Sequence, residues 1–145
     1  MVALMPNPPL QRRLRAPVDP MTTALLVIDM QQGLCAGEEA ASGISTVIEN
    51  INALSRRARQ AGAPVVLVQH EEDEGPLRYG SAAWALAENL LTAAEDLRIR
   101  KKTSNSFFHT ELHATLQAKS VTRLVVCGLQ TEFCVDTTVR QALPL

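Results

Sequence analysis

Three stretches of apolar residues with no polar interruption constrain this chain more than any other feature. Ala24-Leu25-Leu26-Val27-Ile28, Val65-Val66-Leu67-Val68 and Leu124-Val125-Val126-Cys127 are each strand-sized. A strand with one wet face alternates apolar and polar residues, so unbroken runs of this length read as strands buried on both faces. Such strands belong to parallel sheets covered by helices on either side. Between the first two runs, Ile44, Val47, Ile48, Ile51, Leu54 and Ala58 recur at helical spacing, with Glu49, Asn50, Arg56, Arg57 and Arg59 largely off that stripe, and Gly62 and Pro64 end the pattern. Strand, helix and strand in that order make a βαβ unit with a parallel pair.

The rest of the chain extends the alternation. Residues 30–43 hold Gly33, Gly37 and Gly43 and read as a loop. His70 to Ser81 is polar and glycine-containing, as suits a loop over a site. A helix is predicted from Ala82 to Ala94, a short strand over Leu97-Arg98-Ile99-Arg100, a helix capped by Thr110 and running to about Lys119, and a last helix from Glu132 to Leu143. The order predicts an α/β fold, a three-layer α/β/α sandwich with a mainly parallel, Rossmann-like sheet. The length of 145 residues suits one domain, placed at 22–145 behind an extended Pro/Arg-rich leader at 1–21. A doubly wound domain usually returns to its sheet after such a helix, so the core is expected to be incomplete where Leu145 ends it.

Bulk properties exclude some partners. A formal net charge of −1 gives no electrostatic footprint for nucleic acid or an anionic membrane. The apolar runs fall far short of the roughly 20 residues that span a bilayer. Cys35, Cys127 and Cys134 are odd in number and form no CxxC pair, which predicts a reducing compartment and a cytoplasmic protein. The leader has the cluster Arg12-Arg13-Leu14-Arg15 but lacks the continuous apolar core of a secretory signal.

Parallel strands place their carboxyl ends along one sheet edge, where ligands collect. Asp29 follows the first strand, Lys101 the third and Cys134 the fourth. The carboxylate can take the thiol proton, the ammonium can stabilise thiolate and carboxylate, and the thiolate can attack a carbonyl carbon. Taken singly, Asp29 is as readily a turn-forming carboxylate, and Lys101 sits in a charged run with Arg98, Arg100 and Lys102. Cys127, inside an apolar strand, reads as packing, and Cys35 has no basic neighbour. Cys134 differs in standing where a strand gives way to a helix.

Three segments in order carry a resemblance. Leu25-Leu26-Val27-Ile28-Asp29-Met30-Gln31, the stretch Lys101 to Thr110 and the stretch Gly128 to Thr138 resemble the aspartate, lysine and nucleophile motifs of the isochorismatase-like cysteine hydrolase superfamily, which includes nicotinamidases and N-carbamoylsarcosine amidases. Counting back from Phe107 to the family's lysine selects Lys101 over Lys102. The resemblance implies that fold, shortened at its C-terminus, and a Cys134-Asp29-Lys101 triad hydrolysing a C–N bond of a small amide or carbamoyl compound through a thioester-type intermediate. It also implies a non-proline cis peptide at Leu129-Gln130 and an oxyanion hole from the amides of Gln130 and Cys134.

Departures refine that picture. Nicotinamidases use an Asp-x-His pair and a further histidine for a metal, whereas here His70 is followed by Glu71, Glu72 and Asp73, so no metal and no cofactor are expected. Isochorismatase itself lacks the cysteine, so Cys134 points to amide-type substrates. Gln31, His70, Tyr79, Trp84, Phe107 and Phe133 are the candidate substrate-binding residues; for the aromatic ones, ordinary packing is an equal reading. His109 and His113 read as surface or capping residues. A homo-oligomer is expected. Two other readings stay open: a non-catalytic, partner-dependent member of the family acting in binding or assembly, and a redox-sensing thiol protein.

Overall fold

The first apolar run becomes β1 (Thr23–Ile28), buried at all six positions. It sits inside the sheet of a computed structural model that describes residues 23–37 and 42–143. The expected leader lies outside the described residues, as do residues 38–41 of the expected 30–43 loop. β2 (Val65–His70) pairs with one edge of β1 in the register Leu25 to Val65, and β4 (Arg123–Gly128) pairs with the other in the register Thr23 to Arg123. β3 (Leu97–Lys101) lies outside β2, giving the order β3-β2-β1-β4 with every pair parallel. The predicted short strand is therefore real, and the α/β architecture is as expected.

The alternation of side chains across β1 and β2 creates two cores. Leu25, Val27, Val65 and Leu67 face Ile48 and Ile51 of α2 (Ile44–Gln60), together with Met30, Leu90 and Leu129. Ala24, Leu26, Ile28, Val66, Val68 and Ile99 face Leu112 and Leu116 of α3 (Leu112–Ala118). Two buried faces explain why these strands contain no alternation. On α2 the inward row passes through Ser55, which is buried, while Leu54 lies half in solvent at its flank. Arg59, off the expected stripe, reaches back to hold Asp96 with Nε–Oδ1 2.9 Å and Nη2–Oδ2 2.7 Å, tying α2 to the entrance of β3.

Four local expectations need correction. Residues 82–94 form turns instead of a helix. Their backbone is recruited by the loop after β1: Gln32 N–H donates to Ala85 O at 2.7 Å, Gly33 N–H to Ala83 O at 2.8 Å and Ala87 N–H to Met30 O at 3.0 Å. Helical propensity in an alanine-rich stretch gives way to those tertiary bonds. The loop after β1 itself contains a short helix, α1 (Gln32–Cys35). Thr110 stands one position further from α3 than a cap would, although its Oγ1 does accept the Leu112 N–H at 3.3 Å. The last helix divides into a π-helical turn, Thr131–Val135, and α4 (Asp136–Ala142).

Candidate active site

The site begins with β1 running into Asp29. Asp29 adopts φ +56, a left-handed conformation that aspartate tolerates better than most residues and that turns the chain sharply off the strand end. Its N–H still extends the sheet, donating to Val68 O at 2.9 Å, so its position is set by β1 and β2 together. The carboxylate is buried, with Oδ1 unpartnered among the described residues.

β3 supplies Lys101, whose side chain is entirely buried. Its ammonium lies 2.9 Å from Asp29 Oδ2, donates to Cys134 Sγ at 3.3 Å and to Thr103 O at 3.1 Å, and stands 3.5 Å from His70 Nδ1. An ammonium carries three hydrogens, and the first three contacts account for them. A charge this deep is tolerable because it is paired and hydrogen-bonded on several sides.

β4 delivers Cys134 through a tight junction. Gly128 has φ +126, and an added Cβ would meet Ile28 O at 2.0 Å, so only glycine lets β4 leave the sheet against β1. Leu129-Gln130 is a cis peptide bond, as the resemblance implied. Gln130 O then accepts the N–H groups of Phe133 and Val135, forming the wide π turn that carries Cys134. The thiol is half-buried and packs on the α3 side of the sheet, where Phe107 also lies. Its pKa is raised, first by burial, then by donation of its S–H to the Asp29 carboxylate and by the charge of that carboxylate; Lys101 works in the opposite direction. Cys35 and Cys127 are pushed up to about 11 by burial alone, with no charged group to offset it.

The three expected catalytic residues therefore converge from strand ends far apart in sequence, with His70 as a neighbour. Burial and Lys101 lower the His70 pKa below 6.5, against smaller opposing effects of Asp29, Glu72 and Glu71. Gln31 is fully buried and its amide clamps the surrounding loops: Nε2 donates to His70 O and Trp84 O, and Oε1 accepts the His70 N–H. Phe133 is largely exposed beside Cys134. Tyr79 and Trp84 pack edge to face at 4.8 Å, with the Arg100 guanidinium 4.3 Å from the Tyr79 ring centre. They line a groove of about 600 Å³ with Gln69, Leu86, Arg98 and Arg100, whose lining does not include Asp29, Lys101 or Cys134. A second cleft, of about 500 Å³, follows β3 from Arg98 to Thr103 against Phe108 to Glu111 and includes Lys101 in its wall.

Sequence reading missed Thr103, which holds Lys101 through a carbonyl that no residue type betrays. It also missed the buried pair Ser106 and Thr138. Thr138 had a signal, since it lies four residues after Cys134 and so on the same helical face. Among the described residues, no group of three or more His, Cys, Asp or Glu is placed to hold a metal ion, and no helix is long and apolar enough to cross a membrane.

The family pattern described as the isochorismatase domain matches residues 23–145. The chain is 37% identical over 123 residues to a streptothricin hydrolase of Streptomyces noursei, covering 84% of this chain but only 45% of that protein. It is 29% identical over 167 residues to the ureidoacrylate amidohydrolase RutB of Caulobacter vibrioides, covering 89% of this chain and 74% of the relative. The crystal structure of a cysteine hydrolase from Pseudomonas syringae superposes with a TM-score of 0.81 at 26% identity, over 90% of this chain and 70% of that one.

Proposed function

The chain belongs to the isochorismatase family, and we propose that it is a cofactor-free cysteine hydrolase that cleaves the C–N bond of a small amide or carbamoyl compound. One observation carries the reading: the Lys101 ammonium bridges the Asp29 carboxylate and the Cys134 sulfur at 2.9 and 3.3 Å. The names of the amidohydrolase and cysteine hydrolase relatives point to the same chemistry.

The raised thiol pKa means that Cys134 rests protonated. Asp29 takes that proton as sulfur attacks the carbonyl carbon, and Lys101 offsets the charge on both partners. Carbonyl oxygen becomes an oxyanion, received by the amides of Gln130 and Cys134, where one donor is typically worth about a hundredfold or more in rate. Collapse breaks the C–N bond, and the amine or ammonia leaves with the proton returned by Asp29. Water, deprotonated by Asp29, then attacks the thioester; the acid departs and the thiol is restored. His70, which stands against Lys101, Phe107, which packs on the same cluster as Cys134, and Phe133, its neighbour in the chain, are proposed to contact the substrate.

An ammonia-release screen over small primary amides and carbamoyl compounds, run beside Cys134→Ala, tests reaction class and nucleophile together. Release should fall at least about a thousandfold in the variant with its fold intact. Turnover that survives the substitution removes Cys134 from the mechanism.

A further inference from the structure

Lys101 and Cys134 arrive at their contact on two separate pieces of chain, one leaving β3 and the other leaving β4. The nucleophile's side is anchored to β1: Gly128 is in register with Ile28, and Leu129 N–H donates to Ile28 O at 2.9 Å. That anchor fixes the start of the nucleophile segment beside Asp29, the next residue after Ile28, while Lys101 is held by β3 and by its own pair with Asp29; the turn that carries Cys134 lies beyond the anchor.

Thr138 supplies the missing constraint. It lies one helical turn beyond Cys134 and is fully buried, as is Ser106, five residues beyond Lys101. Thr138 Oγ1 accepts the Ser106 N–H at 3.1 Å and donates to Ser106 Oγ at 2.9 Å, with Ser104 O at 3.4 Å. Among the described residues, these bonds and the Lys101–Cys134 contact itself are the only hydrogen bonds joining 131–143 to 101–112. Lys101 is tied into the same segment by its bond to Thr103 O.

We propose that Thr138, acting through Ser106, is a positioning residue that sets the Lys101–Cys134 contact and so tunes the nucleophile. The inference rests on the reading of Cys134 as that nucleophile. Losing the hook unties the helix that follows Cys134 from the segment that follows Lys101, while the β1 anchor at Gly128 and Leu129 beside Asp29 remains. The thiol then keeps the carboxylate that disfavours its ionised form and loses part of the cation that favours it.

The experiment is the pH dependence of Cys134 alkylation by iodoacetamide, resolved from Cys35 and Cys127 by peptide mapping, in wild type, Thr138→Val and Thr138→Ser. Thr138→Val should move the Cys134 midpoint up by about one pH unit, making alkylation near neutrality about tenfold slower. Thr138→Ser, which keeps the hydroxyl, should restore it. A folded Thr138→Val with the wild-type midpoint overturns the proposal even if it melts earlier, since a purely structural role lowers the melting point without shifting the thiol. If Thr138→Val does not fold, Ser106→Ala removes only the Oγ partner and should give a smaller upward shift; no shift there is equally fatal. Hydrolysis that survives Cys134→Ala would instead defeat the nucleophile reading and leave the alkylation result standing.

Discussion

Lys101 and Asp29 form an ion pair of 2.9 Å in which neither side chain is more than 2% exposed. Breaking a buried pair from one side leaves an unpaired charge, which costs about 3–5 kcal/mol. Asp29→Asn and Lys101→Met should each lower the unfolding free energy obtained from urea titration by an amount of that order. The double variant should recover much of the loss, because neither charge is then left alone. A double variant whose loss equals the sum of the two singles would show that the pair is not coupled in the folded protein.

The same two residues act on Cys134 in opposite senses. Burial raises the thiol pKa most, Asp29 adds to it, and Lys101 opposes it. Asp29→Asn should therefore lower the pH at which Cys134 alkylates while abolishing turnover, and Lys101→Met should raise it. A reactive thiol in an inactive variant is an outcome specific to a carboxylate that serves as base. If Asp29→Asn leaves the alkylation midpoint in place, the carboxylate does not sense the thiol.

The parts of this site visible in the sequence are those written in residue type and local order. Unbroken apolar runs disclosed β1, β2 and β4, and a reactive group after each strand end disclosed the convergence of Asp29, Lys101 and Cys134. What stayed hidden depends on partners distant in the chain. Alanine-rich 82–94 has helical propensity, yet its carbonyls and amides are taken by residues 30–33, whose geometry follows from the turn at Asp29. Arg59 reads as a solvated helix residue until β3 brings Asp96 beneath it. Gln31 has the polarity of a substrate contact, and only the fold shows both ends of its amide engaged by the backbone of His70 and Trp84.

Gly128 is the position where a single methyl group should be least tolerated. Its φ of +126 is costly for any other residue, and an alanine Cβ would fall 2.0 Å from Ile28 O and 2.6 Å from Ile28 N, both backbone atoms that the sheet holds in place. Gly128→Ala should cost more than about 4 kcal/mol, placing it among the severest single substitutions. Loss of a cooperative thermal transition, or its displacement to much lower temperature, is the result to look for. A near-wild-type melt would mean that β4 can leave the sheet by another path.

His70 links the site to the pH dependence of folding. Burial and, next, the Lys101 ammonium depress its pKa below the 6.5 of a free imidazole, and Asp29, Glu72 and Glu71 only partly offset this. As pH falls below 6.5, the unfolded chain therefore takes up the proton before the folded one does. Because the state that binds more protons gains on acidification, stability contributed by neutral His70 is present above that pH and is progressively lost below it, until the folded imidazole also titrates. Urea unfolding followed from about pH 7 to about pH 5 should show stability falling with acid, and His70→Asn, which cannot titrate, should flatten that slope. An unchanged slope in the variant would assign the acid sensitivity to other groups and leave His70 without a charge-dependent role beside Lys101.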